Sequence, residues 1–276
     1  MRLWNPLKET PGSPEGDAML IRAYDGAHGY GVLDVCIAPD NSRFVSAGGD
    51  RAAFLWDVAT GRVVRRFAGH SQRINAVAFS EDGAVLLTGS YDKTVTLWDV
   101  RAASSREPIQ ILGDFRDSVS TVACSAHRVL AGSVDGCLRT YDLRTGLMHC
   151  DDLGSPLTHV SVSPDRRCAL SVCLGGAILL TDLASVRELI TFRGHRQEAY
   201  RTEARVCADD AHVVAGSEDG RLLVWDYTSG RVVCSTETGA KAVTSVDRHP
   251  TRAEFLAAGT DGTAQLWTLS SNDPRW

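Results

Sequence analysis

No stretch of the 276-residue chain stays apolar for the roughly 18–20 residues that a membrane-spanning helix needs. No apolar segment of signal-peptide type follows Met1, so neither a spanning helix nor a secretory signal is expected. The eight cysteines, at 36, 124, 137, 150, 168, 173, 207 and 234, include no C-x-x-C pair. That spacing argues against a zinc site and, without a signal, against a disulfide framework; a reducing cytosol or nucleus is the expected setting. Any excess of one charge sign is also small. Lys and Arg number 29 against 34 Asp and Glu, and the net −5 exerts no general pull on nucleic acid. A G-x-S-x-G elbow, a P-loop and an H-E-x-x-H are all missing. The Gly-rich turns, such as "AGG" at 47–49, have no helix after them to cradle a phosphate. His149, His159, His212 and His249 share no ligand spacing and read as satisfied or surface histidines. No metal, no cofactor and no catalytic residue is expected.

What the chain does have is self-similarity. The segments "AAFLWD" (52–57), "TVTLWD" (94–99), "CLRTYD" (137–142), "AILLTD" (177–182), "RLLVWD" (221–226) and "TAQLWT" (263–268) recur at steps of about 42 residues. Upstream of most lies an apolar stretch ending in a small-residue turn, such as "FVSAGGD" (44–50) or "HVVAGSED" (212–219). Before that comes an alternating segment such as "INAVAFSEDG" (74–83), and after each unit a segment such as "RVVRRF" (62–67) or "RELITF" (187–192). These pieces are short, rich in β-branched residues and bounded by Gly, Asp and Ser, so they read as strands. Four strands in each repeat form a β-propeller blade, and blades bury their faces only by stacking on one another. The expected fold is all-β, a single propeller domain over 1–276, with units ending near 57, 99, 142, 182, 226 and 268.

With Gly69–His70, Gly194–His195 and His28 in "DGAHGYG", the repeat resembles the WD-repeat family across essentially the whole chain. The resemblance implies a buried network in each blade, linking His, a Ser or Thr, Asp and Trp. One unit supplies His28, Ser46, Asp50 and Trp56; the next supplies His70, Thr88, Asp92 and Trp98. The unit ending at Trp225 keeps His195 and Asp219 but carries Ala215 at the hydroxyl position, so its network is expected to be looser. Where Thr181 replaces the Trp, Gly175 replaces the Asp and "GS" (154–155) replaces the "GH", and the network is expected to be abandoned whole. Ser, His and Asp recurring at blade spacing point to this structural role and away from a catalytic triad.

Partners of such propellers often use the narrow rim. Matched by position, the candidate rim residues are Arg73, Asn75, Tyr91, Ser118, Ser120, Val134, Tyr200, Glu218, Thr244 and Thr260. Arg62, Arg65, Arg66 and Arg73 form a basic run in "GRVVRRFAGHSQR", and Arg166–Arg167 form a pair. The run reads as a solvated outer strand and turn, with an anion- or RNA-facing patch as the sharper alternative. Too few aromatic residues interleave with it for a base-stacking platform. The stretches "LWNPL", "HGYGVLDV", "LAGSVDG", "YDLRTG" and "VVAGSEDG" are similar to one subfamily, the mitogen-activated protein kinase organisers. That likeness implies a non-enzymatic scaffold, a monomer within larger complexes of the spliceosome or of a kinase cascade, in cytoplasm and nucleus and without a membrane. "WDVR" (98–101) and "YDLR" (141–144) also resemble the box of cullin–RING ligase substrate receptors, with Arg101 and Arg144 as adaptor contacts.

"MRLWN" aligns with the end of a third strand, Trp4 matching Trp56 and Trp98, so residues 1–7 are expected to be the remnant of a first blade. "KETPGSPEGDA" (8–18), rich in Pro, Gly and charge, is expected to be a flexible insertion. Six three-strand sets plus this stub suggest a seven-bladed propeller lacking its start. The alternative is a six-bladed ring in which 19–25 pairs with 263–267, the tail at 269–276 being a poor substitute strand.

Overall fold

The computed structural model describes residues 1–9, 18–102 and 107–268, and every regular element among them is a β-strand. A ribbon of β1 (Arg2–Glu9) and β2 (Ala18–Ala23) comes first. The first sheet holds β3 (Val32–Ile37), β4 (Arg43–Gly48), β5 (Ala52–Asp57) and β6 (Val63–Ala68). The second holds β7 (Ile74–Phe79), β8 (Val85–Ser90), β9 (Val95–Asp99) and β10 (Gln110–Leu112). The third holds β11 (Val119–Ser125), β12 (Arg128–Ser133), β13 (Cys137–Asp142) and β14 (Leu147–Asp152). The fourth holds β15 (Leu157–Val162), β16 (Cys168–Cys173), β17 (Ala177–Asp182) and β18 (Arg187–Arg193). In the fifth are β19 (Ala204–Val206), β20 (His212–Gly216), β21 (Arg221–Asp226) and β22 (Val232–Glu237). The sixth contains β23 (Val243–Arg248), β24 (Glu254–Gly259) and β25 (Ala264–Thr268). Each sheet is an antiparallel meander in chain order. The arrangement is a six-bladed WD-type propeller in which the sixth blade has three strands among the described residues.

Stacking is carried by the strand faces. Val45, Leu55 and Phe67 of the first sheet interlock with Ile74, Val77, Leu86 and Trp98 of the second. Leu170, Ile178 and Phe192 of the fourth meet Val213, Leu223 and Trp225 of the fifth in the same way. The middle strands are buried on both faces, as in "RVLAGS" of β12, because a neighbour lies on each side. Full burial of each large apolar side chain contributes about 1.5–3 kcal/mol. A glycine is required before His70, where a Cβ on Gly69 would lie 2.8 Å from the Trp98 ring.

The ribbon packs Met1, Leu3 and Tyr24 on Phe44, Phe54 and Trp56 of the first sheet. Tyr24 meets Phe44 edge-on at 4.8 Å and Trp56 at 6.0 Å, in the place against the next blade's Trp that Phe67 takes on Trp98 at 5.7 Å and Phe192 on Trp225 at 6.2 Å. The ribbon is therefore the third and fourth strand of a further unit. Closure by pairing 19–25 with 263–267 does not occur: among the described residues β2 pairs only with β1, Trp4 lying opposite Leu20, and β25 pairs only with β24. In the segment expected to be an insertion, Lys8 and Glu9 finish β1 and Ala18 opens β2, with Glu9 paired to Ala18; residues 10–17, like the tail at 269–276, lie outside the described residues. Because the ribbon covers only the outer half of the first sheet, Val35 and Ile37 of β3 are 44% and 59% exposed. Their counterparts in β7, Val77 and Phe79, are buried. On the sixth sheet Leu256 and Leu266 are likewise exposed, where Leu87 and Leu97 of the second are buried.

Candidate protein-interaction surface

Two blades assemble the complete network. An indole N–H can only donate, so Trp56 Nε1 donates to Ser46 Oγ at 2.8 Å. The hydroxyl in turn donates a hydrogen bond to His28 Nε2 at 2.7 Å, and with Nε2 accepting, the ring proton sits on Nδ1, donated to Asp50 Oδ2 at 2.5 Å. The second blade repeats the chain, with Trp98 on Thr88 at 2.9 Å, Thr88 against His70 at 2.7 Å and His70 on Asp92 at 2.9 Å. Burial pushes the carboxyls of Asp50 and Asp92 up, but the histidine and the loop amides outweigh it and hold both below the usual carboxylate range. Asp50 takes the Gly29 amide and Asp92 the Ser71 amide, so each network also pins the loop that carries its histidine.

The other blades depart in distinct ways. In the fifth, Ala215 offers no hydroxyl, Trp225 turns to the Arg193 carbonyl at 2.9 Å, and the buried His195 ring is left with no hydroxyl partner and only a loose contact with Gln197. Asp219 is not brought to His195 and lies 3.9 Å from Arg221. In the fourth, no bond of the network remains: Ser171 stays buried at the hydroxyl position, but without a partner. The third has Tyr141 in place of Trp and builds a substitute. Arg139 reaches Asp135 at 2.9 Å with both side chains almost fully buried, while its guanidinium lies 4.8 Å over the Phe115 ring. Sequence reasoning missed this pair; the signal was a charged residue inside the apolar segment "CLRTYD". It also missed what the Asp of the Trp-Asp dipeptide does. Asp57, Asp99, Asp142, Asp182 and Asp226 each accept the amides of the turn that follows.

The rim candidates divide. Arg73, Tyr91, Val134, Tyr200 and Thr260 are exposed. Arg73 stacks on Tyr91 with its guanidinium 4.7 Å from the ring centre. Three others are spent inside the fold. Asn75 Nδ2 donates to the Val119 carbonyl at 2.8 Å and Ser120 Oγ to the Leu157 carbonyl at 2.6 Å, joining neighbouring blades, and Ser118 is buried. Glu218 accepts the amides of Glu198, Ala199 and Tyr200 and so shapes the loop that presents Tyr200. Thr244 is half-buried beside the central channel, where Asp34, His159, Arg201, Glu203, Arg205 and Asp247 meet. There Arg205 bridges Asp247 at 3.1 Å and His159 at 2.9 Å. Arg101 and Arg144 are about two-thirds exposed, on turns shaped by Asp99 and Asp142. In the basic run, Arg65 bonds the carbonyls of Asp99 and Ala102, while Arg62, Arg66 and Arg73 face solvent. Burial pushes the thiols of Cys36, Cys124 and Cys173 up to about 11 and that of Cys207 up to about 12, so they stay protonated and unreactive at neutral pH.

The sequence pattern of the WD domain, G-beta repeat, matches residues 20–57, 61–99, 186–226 and 231–268, more than half of the chain. The chain belongs to the WD-repeat family. Among WD-repeat proteins, rat WD repeat domain-containing protein 83 is 41% identical over 267 residues, which cover 97% of this chain and 81% of that protein. The WD repeat domain-containing protein 83 homolog of Dictyostelium discoideum is 29% identical over 272 residues, covering 88% of this chain and 83% of that one. A solved structure, "Structure of U3-55K", superposes with a TM-score of 0.78 at 19% identity, over 90% of this chain and 80% of that chain, a likeness of fold. The WD-repeat pattern skips the stretch 100–185, which holds the third blade and the first three strands of the fourth, where Tyr141 and Thr181 take the place of the Trp.

Proposed function

We propose that this WD-repeat scaffold, homologous to WD repeat domain-containing protein 83, works without catalysis, holding proteins of the spliceosome or of a mitogen-activated protein kinase cascade in one assembly. The identity over nearly the whole chain carries this reading, and the exposed rim supports it: Arg73 and Tyr91 are stacked and accessible, the residue types that dominate interface energetics. The network blades hold that rim rigid, so little conformational entropy is lost when a partner docks. The protein acts as a monomer within larger complexes, in cytoplasm and nucleus. Affinity capture from nuclear and from cytosolic extract, with the bound proteins identified by mass spectrometry, tests it. Recovery of spliceosomal or kinase-cascade components is expected, and absence of both refutes the proposal. A ligase-receptor role rests on the accessibility of Arg101 and Arg144 alone; co-purification with a cullin–RING adaptor, lost on Arg101→Ala, is what that role requires.

A further inference from the structure

A cavity of about 900 Å³ opens at the rim between the first and second blades. Three guanidiniums line it, those of Arg51, Arg66 and Arg73, and among the described residues none of them forms an ion pair. A single carboxylate lines it, Asp50, whose two oxygens are already engaged by His28 and the Gly29 amide. Two of the guanidiniums are held by aromatic faces: Arg73 lies 4.7 Å from the Tyr91 ring centre and Arg66 5.9 Å from that of Phe54. A guanidinium placed this way keeps its N–H edge free for a carboxylate, which it grips through two parallel hydrogen bonds. Tyr30 and Tyr91, 71% and 46% exposed, flank the opening. Tyr30 is seated directly on Gly49, where a Cβ would lie 2.6 Å from the tyrosine Cβ.

From this geometry we infer that the cavity is a binding site for an acidic peptide segment, Glu- or Asp-rich, of a protein partner. The inference rests on the scaffold reading and gives its surface a chemistry. Three positive groups without internal partners leave an uncompensated local field on a protein whose net charge is −5. That contrast favours a short anionic segment, which reaches the pocket alone, over a long polyanion, which meets the acidic remainder of the surface as well.

The purified chain and a fluorescein-labelled oligo-glutamate peptide, followed by fluorescence anisotropy, test the site. Saturable binding that weakens with salt is expected, with a loss of about tenfold or more for Arg73→Ala and a larger loss for Arg51→Ala combined with Arg73→Ala. Arg62→Ala, in the same basic run but outside the cavity, is expected to bind as the parent does. All these residues are exposed, and unchanged thermal melting of each variant shows that folding is intact. No saturable binding, an equal loss on Arg62→Ala, or tighter Arg73-dependent binding of a labelled oligo-uridine RNA would each overturn the inference. Failure here with partner capture from extract intact refutes the acidic-peptide site and leaves the scaffold reading standing. Failure of capture with oligo-glutamate binding intact does the reverse.

Discussion

Thr88→Val removes one oxygen from the centre of the second blade's network. Thr88 is fully buried, accepts the Trp98 indole N–H and contacts His70 Nε2. Valine keeps the shape and suits the strand, so the change creates no cavity and isolates the hydroxyl. Two buried polar atoms then lack a partner, each costing about 1–3 kcal/mol. The fifth blade shows how far the protein can recover. With Ala215 in place of the hydroxyl residue, Trp225 turns to the Arg193 carbonyl, while His195 has no hydroxyl partner. If Trp98 finds an equivalent carbonyl, the loss falls to that of the histidine alone, about 1–3 kcal/mol; without it, the loss reaches about 2–6 kcal/mol. Urea denaturation followed by tryptophan fluorescence reads the difference, and Ala215→Ser supplies the converse. A hydroxyl there is expected to stabilise the fifth blade by about 0.5–1.5 kcal/mol by pairing His195. A Thr88→Val protein as stable as its parent would show that the repeated network contributes nothing to folding.

Arg139→Met leaves the Asp135 carboxylate buried and unpaired and is expected to cost about 3–5 kcal/mol; adding Asp135→Asn should restore most of that, and equal stability of the single and double variants in urea would refute the pairing. Acid should weaken the fold in two stages. Burial holds His195 and His159 below the ordinary imidazole range, helped for His159 by Arg205 and Arg201, so their unfolded forms take up protons that the folded forms refuse. Their contribution is complete above about pH 6.5 and declines below it. Asp50 and Asp92, held below the carboxylate range, contribute fully above about pH 4 and lose that contribution as pH falls further, toward their folded values. Urea midpoints measured from pH 7 to pH 5 on His195→Gln should show a flatter slope than the parent, and an identical slope would refute the first stage. Finally, Val35→Thr with Ile37→Thr should leave the melting temperature within about 2 °C, since both side chains are exposed, yet reduce binding of a hydrophobic dye; unchanged dye fluorescence would mean that this face is not open.

The repeat made the architecture legible, because the same residue types return at one spacing and third strands end at Asp57, Asp99, Asp142, Asp182, Asp226 and Thr268. It also made the networks around Trp56 and Trp98 legible, since a role that recurs can be recognised twice. What could not be read were features that occur once or need a neighbour. Arg139 has no counterpart in other blades, so nothing marked it as a replacement for a histidine. Asn75 and Ser120 resemble rim residues until the adjacent blade places a carbonyl against each. The partner of β2 was equally open, because its alternation suits either edge; the fit of Tyr24 between Phe44 and Trp56 decides it.

The uncovered side chains of Val35 and Ile37 on the first sheet, and of Leu256 and Leu266 on the sixth, mark the two described sheets whose faces are covered only in part. Sheets stacked in this way form a quasi-one-dimensional array whose cooperativity is that of nearest-neighbour coupling, and the coupling is weakest where a face is covered only in part. Order is lost first at such faces and last where both faces are covered. The Arg51–Arg66–Arg73 cavity spans the contact between the first and second blades, next to one of the partly covered sheets. A peptide seated there touches both members and adds directly to the coupling of a junction close to that face, so occupancy and global order become linked quantities.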